Sequence, residues 1–174
     1  MIDTASQPTQ ASGGRKGLAF VFGARRSAAA TDLALVVVRA ALAWIFFVYG
    51  AQKLFGWFHG QGLDETARFM KDVIGSPGRF WAVLGGIIEF GGAIALVLGF
   101  GARIAGLALF GDMVVAMISV TWKTGLHQPT PPGYELNVAL AALALVIVLM
   151  GAGRYSLDAL IERGLVGTRE GSAP

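Results

Sequence analysis

The sequence predicts an all-α, polytopic membrane protein: an antiparallel bundle of four transmembrane helices, with a short interfacial helix in the first outer loop. Three observations lead there. Of the 174 residues, 55% are apolar and only 14% are charged, against roughly 25% charged in ordinary soluble domains. Four apolar stretches follow one another, the first three close to the ~20 residues that cross a ~30 Å hydrocarbon core. Trp57, Trp81, Trp122, Tyr134 and Tyr155 stand at the ends of these stretches, where amphipathic rings favour the membrane–water boundary. An open strand in lipid would leave backbone groups unpaired, so the spans must be helices.

Residues 1–31 read as a disordered, basic cytoplasmic arm carrying Arg15, Lys16, Arg25 and Arg26. Its short apolar run, Leu18 to Phe22, is followed by Arg25-Arg26 and lacks the small-residue site of a cleavable signal. Residues 32–155 form the membrane domain. Its spans are expected at Leu33–Phe55, Phe80–Leu98, Ile104–Trp122 and Leu136–Met150, the last near the short limit. The connection Gly99-Phe-Gly101 is so short that the second and third spans must be antiparallel neighbours. In the first outer loop, Leu63 to Ile74 places Thr66, Phe69, Met70 and Val73 on one flank and Asp64, Arg68 and Lys71 on the other. That pattern suits a helix lying on the membrane surface. Gln128-Pro-Thr-Pro-Pro-Gly133 reads as a rigid extended hairpin. Residues 156–174 form a tail, with Ser156 capping a short helix that carries Leu157, Leu160 and Ile161.

Orientation follows from the basic residues. With both ends cytoplasmic, eight Lys/Arg lie inside, Arg103, Arg154, Arg163 and Arg169 among them. Four lie outside: Arg68, Lys71, Arg79 and Lys123. The expected location is the plasma membrane of a bacterium.

Several chemistries are excluded. Cysteine is absent, which removes disulfides, thiolate metal sites, iron–sulfur ligation and covalent haem attachment. The net charge of +3 is spread over tails and loops, with no run dense enough for a nucleic-acid partner. The two histidines, His59 and His127, fall in loops, so one protomer cannot hold a bis-histidine haem within the membrane. Together with Glu135 they make too weak a ligand set for a metal to be expected. Met113 and Met117 read as packing residues, and no phosphate loop, nucleophile elbow or zinc-binding helix is present.

The informative residues are the charges inside the spans, each costing about 2.5–3.5 kcal/mol to insert. Arg39, Glu89 and Asp112 lie well inside; Lys53 and Glu135 lie near the outer boundary. Four of them share a helix face with small residues: Ala43 and Gly50 beside Arg39 and Lys53, Gly85, Gly86 and Gly92 around Glu89, Ala108 and Ala116 around Asp112. Small residues mark helix–helix contact in lipid, so the charges point toward protein. An Arg39–Asp112–Glu89 cluster is the expectation, with one guanidinium serving one or two carboxylates, and Lys53–Glu135 a second pair. Glu89, Asp112 and Arg39 are the candidate catalytic groups. Arg39, Lys53, Glu89 and Glu135 are the candidate ligand-binding groups for a polar ligand, a quinone headgroup or a proton. The competing reading is that the charges only set helix register.

The chain resembles the DoxX family of small bacterial membrane proteins. The resemblance rests on Arg39 followed by Gly50-x-x-Lys53-Leu54, on Glu89-x-Gly-Gly92 with Gly99 and Arg103, on Met113, on Glu135, and on Gly151-x-Gly-Arg-Tyr-Ser-Leu-Asp158. It covers about residues 33–158. It implies a four-helix membrane bundle and an association with quinone-reducing thiosulfate oxidoreductase, some members sitting in membrane oxidoreductase complexes. Without cysteine, sulfur chemistry on this chain is not expected, so electrons would pass through a bound quinone or a partner. Three functions compete: a quinone-interacting or accessory subunit of a membrane oxidoreductase, a non-catalytic scaffold or assembly factor, and a small transporter. The expected partners are the lipid bilayer, oxidoreductase subunits or further copies of the chain, and quinone is the one cofactor in view.

Overall fold

The structure, a computed structural model, describes residues 27–127 and 133–170, with side chains up to residue 165. Most of the basic arm, and residues 128–132 of the expected proline-rich outer loop, lie outside the described residues. Every regular element among the described residues is helical. Helix α1, Ala28–Phe55, begins ahead of the expected Leu33 because the Ser27 hydroxyl accepts from Ala30 N at 3.1 Å and caps it. It ends where Gly56 turns left-handed at φ 71°. Helix α2 is Gly62–Val73 and α3 is Gly78–Leu98. Helix α4, Ala102–Ala116, runs on through a π turn at Met117–Thr121 and a tight turn at Trp122–Thr124. Helix α5 is Glu135–Met150 and α6 is Leu157–Glu170.

Three helices are long and apolar enough to cross a membrane: α1 with 28 residues, α3 with 21, and α4 with its continuation, 23 residues to Thr124. Helix α5 is equally apolar, but its 16 residues reach only about 24 Å at ~1.5 Å per residue. Helix α3 packs against α1 on one side and α4 on the other, α5 lies along α4 and touches α1, and α2 lies against α3 and α1. Leu42, Phe46, Leu96, Leu109, Leu140 and Ile147 are fully buried between these helices. Val37, Trp44, Ile87, Val97, Ile104 and Leu149 are each more than half exposed. Such a surface is stable in hydrocarbon rather than in water, so the protein is an integral membrane protein.

The close pairing of α1 with α3 depends on Gly50. A Cβ there would sit 2.5 Å from Phe90 N and 2.8 Å from Phe90 Cα, so only glycine lets the two backbones approach. This contact sets the register in which the charged residues meet.

Candidate functional site

Lys53 stands one turn beyond Gly50 on α1, and Glu89 is the residue before Phe90 on α3. The Gly50–Phe90 contact therefore places the ammonium against the carboxylate, and Lys53 Nζ donates to Glu89 Oε1 at 2.7 Å. Glu89 is 1% exposed, whereas the Lys53 side chain is 26% exposed. Asp112 comes toward the same place from α4, where it lines one cavity with Lys53. The glycine face opposite makes room for it: Asp112 Oδ1 lies 3.5 Å from where a Cβ on Gly85 would stand. Glu89 Oε2 and Asp112 Oδ2 are both buried and have no donor within the protein. One proton between two such carboxyls, or a hydrogen-bonding group on a ligand, would supply what is missing.

A cavity of about 280 Å³ opens beside this cluster, between α3 and α4 with Met70 and Ile74 at its edge. Lys53, Asp112 and Ser119 give it polar ground, while Trp81, Leu84, Ile88, Leu107 and Val115 make apolar walls. Glu89 is not among the lining residues and backs Lys53 and Asp112 from behind. Lys53 also borders a second cleft, of about 330 Å³, formed with Gln52, His59, Gln61 and Phe69. Its ammonium thus stands between an apolar recess and a polar, loop-lined cleft. The arrangement can take an amphipathic molecule whose polar end needs one donor and one acceptor.

Arg39 does not join the carboxylates, contrary to the expected Arg39–Asp112–Glu89 cluster. Its guanidinium donates through Nε to Leu96 O at 2.8 Å, through Nη2 to Val97 O at 3.0 Å, and through Nη1 to Ala152 O and Tyr155 O at 2.9 and 2.8 Å. The physical reason is supply. The C-terminal end of α3 and the turn after α5 both leave carbonyls without helical partners, and they lie closer to Arg39 along α1 than the buried acids do. Gly99 completes this joint at φ 65°, with its carbonyl accepting from Asp158 N at 3.0 Å.

Lys53 and Glu135 are not a pair either. Glu135 Oε1 meets His127 Nδ1 at 2.9 Å, and Glu135 Oε2 is buried without a partner. Lys53 meets Glu89 because the Gly50–Phe90 contact sets α1 against α3 in that register. Among the described residues no three ligating side chains gather in a way that could hold a metal ion. Two capping carboxylates carry no signal in the helical pattern. Asp158 accepts from Gly101 N at 2.8 Å and Ala102 N at 3.1 Å, closing the start of α4, and Asp32 accepts from Arg154 N at 3.1 Å. Only the sequence Gly-Arg-Tyr-Ser-Leu-Asp hinted at the first, through the Ser156 cap that Ala159 N confirms at 3.2 Å.

A helical membrane protein with a buried acid, and a half-buried lysine and second acid beside a lateral recess, is the class that fold and site define. Within that class, the DoxX family model matches residues 34–122, and the chain belongs to this family. It is similar to inner membrane protein YphA of Escherichia coli K12, at 29% identity over 80% of this chain and 94% of that protein. It is also similar to the protein named "Putative oxidoreductase CatD" of Bacillus subtilis 168, at 26% identity over 76% and 90% of the two chains. Inner membrane protein YqjF of Escherichia coli K12 is 25% identical over 76% and 95%. No solved structure matches the chain.

Proposed function

We propose that this protein is a quinone-interacting or accessory subunit of a membrane oxidoreductase system. The observation that carries the reading is the recess between α3 and α4, whose polar ground is Lys53 and Asp112 with Glu89 behind them. A quinone is a lipid-soluble carrier of two electrons and two protons, with carbonyl oxygens at the ends of a flat ring. The residues present fit such a group. The ammonium of Lys53 donates to a carbonyl oxygen, Asp112 and Glu89 hold a proton within reach of it, and the apolar walls exclude water while a tail runs out into lipid. Lys53 and the cleft lined by His59 give protons a way to the outer surface. The name borne by the Bacillus subtilis relative agrees in kind.

In this reading α5 crosses the membrane as the fourth helix, its short length completed by Tyr134 and Gly151–Gly153, and α2 lies on the outer surface. Both chain ends face the cytoplasm, where the positive charge collects. The partners are oxidoreductase subunits or further copies of the chain.

The test is quinone retained by the protein purified from bacterial membranes, extracted and compared between wild type and Glu89→Gln. Wild type retains quinone and the variant loses most of it. If neither retains any, and membranes lacking the protein keep full quinone-linked redox activity, the reading fails. A structural role is favoured by one observation: Glu89 already has Lys53 as its counter-ion, so the cluster alone can register α1 against α3. A scaffold of this kind predicts that Glu89→Gln harms assembly or stability with no separate loss of turnover.

A further inference from the structure

A cavity of about 660 Å³ lies at the other end of the molecule. It is formed where the turn between α3 and α4, the turn between α5 and α6, and the first half of α6 come together. Arg103 at the start of α4, Arg154 in the turn between α5 and α6, and Arg163 on α6 line it. Three acids line it as well, so the lining carries three charges of each sign. Both Asp158 oxygens accept from the N-terminal amides of α4, and Asp32 accepts from the Arg154 amide. Glu162 is the third, exposed on α6. Among the described residues no hydrogen bond or ion pair engages the guanidinium groups of Arg103, Arg154 and Arg163.

Position decides what such a cavity takes. Ile104, 77% exposed, and the half-exposed Met150 stand at its rim as apolar surface. Tyr155 is 68% exposed beside it, and α6 carries Leu157, Leu160, Ile161 and Leu165 exposed along one flank. A helix with such a flank lies in the interface plane. The three guanidinium groups therefore sit at the depth of lipid headgroups, next to surface made for acyl chains.

We infer that this cavity is a binding site for the phosphate of an anionic lipid, with Arg103, Arg154 and Arg163 as its ligands. The planar, five-donor guanidinium suits a phosphate bidentately, and two of the acids are turned to backbone amides while the three guanidinium groups have no partner among the described residues. The site is separate from the recess beside Lys53 and does not depend on what that recess binds.

The experiment measures lipid carried by the full-length protein in native mass spectrometry, after exchange into micelles doped with cardiolipin, phosphatidylglycerol or phosphatidylcholine. A parallel arm adds inorganic phosphate alone. Wild type retains cardiolipin and phosphatidylglycerol in preference to phosphatidylcholine, and thermal stability rises with the anionic lipids. Removing two charges in R103Q/R154Q weakens retention by about 30-fold, whereas R68Q, on α2 at the opposite end, leaves it unchanged. All three arginines of the site are surface groups, so the double variant keeps its fold, and the wild-type lipid preference stands as a readout that needs no variant. Equal retention of all three lipids by wild type, equal loss in R68Q, or stabilisation by inorganic phosphate to the same degree as by cardiolipin would each overturn the assignment to lipid.

Discussion

Lys53 Nζ and Glu89 Oε1, 2.7 Å apart, tie α1 to α3 across the Gly50–Phe90 contact, yet the two partners are unequally placed. Glu89 is enclosed, while Lys53 borders the cleft beside His59. The cost of breaking the pair must therefore depend on which side is removed. Lys53→Met leaves a buried carboxylate with no counter-ion and is expected to destabilise by about 3 kcal/mol. Glu89→Leu leaves a lysine whose long stem can swing its ammonium into the cleft beside His59, so its cost is smaller. The double variant falls below the sum of the two. Unfolding in mixed micelles, read as a double-mutant cycle, checks this; strictly additive costs would show that the pair is not coupled.

Gly50 and Gly91 make a matched test of helix approach. Gly50→Ala puts a Cβ against the Phe90 backbone, which cannot turn away as a side chain can. It is expected to cost about 1–3 kcal/mol and to weaken the Lys53–Glu89 bond as α1 moves off α3. A Cβ on Gly91 meets nothing within 4 Å, so Gly91→Ala is neutral or mildly stabilising. Thermal unfolding of the two purified variants decides it, and equal effects would mean that the α1–α3 contact does not set the register.

How much of this was legible beforehand divides along a physical line. Burial of Glu89 and Arg39 followed from the small residues on their helix faces, because in lipid a charge has to turn toward protein. Helix ends were legible within a few residues where a cap marked them, as at Ser156 and Gly99. Pairing was not. The pattern on one helix says which face is inward but not how far along its neighbour that face slides, and the Gly50–Phe90 register moved Lys53 from Glu135 to Glu89. The partners of Arg39 escape the sequence for a related reason. Carboxylates are visible in a sequence as partners for a guanidinium, whereas free carbonyls at helix ends are invisible until the turns are placed. The one available clue was that Arg39 and the Gly151-to-Asp158 segment lie at the same end of the molecule.

Filling the recess separates binding from folding. Gly111 lines it, and a Cβ on Gly111 meets nothing within 4 Å. Gly111→Leu is expected to project into the cavity, to leave the unfolding temperature near that of wild type, and to abolish quinone retention. Retention equal to wild type in a well-folded Gly111→Leu would place any bound quinone elsewhere.

Arg39 offers the sharpest contrast between a ligand-binding and a structural charge. Its four hydrogen bonds join the end of α3 to the turn after α5, and none is directed at the recess beside Lys53. Lysine keeps the charge but offers its donors from a single nitrogen, so Arg39→Lys leaves carbonyls on at least one side without a partner. The expected cost is about 3 kcal/mol or more, since bonds to a charged group contribute about 1.5–3 kcal/mol each. Hydrogen exchange should quicken locally at residues 96–100 and 152–158 before it changes anywhere near Lys53. Quinone retained per folded molecule should stay at the wild-type level. If Arg39→Lys instead kept its stability and lost retention, the guanidinium would belong to the ligand and not to the joint between the two turns.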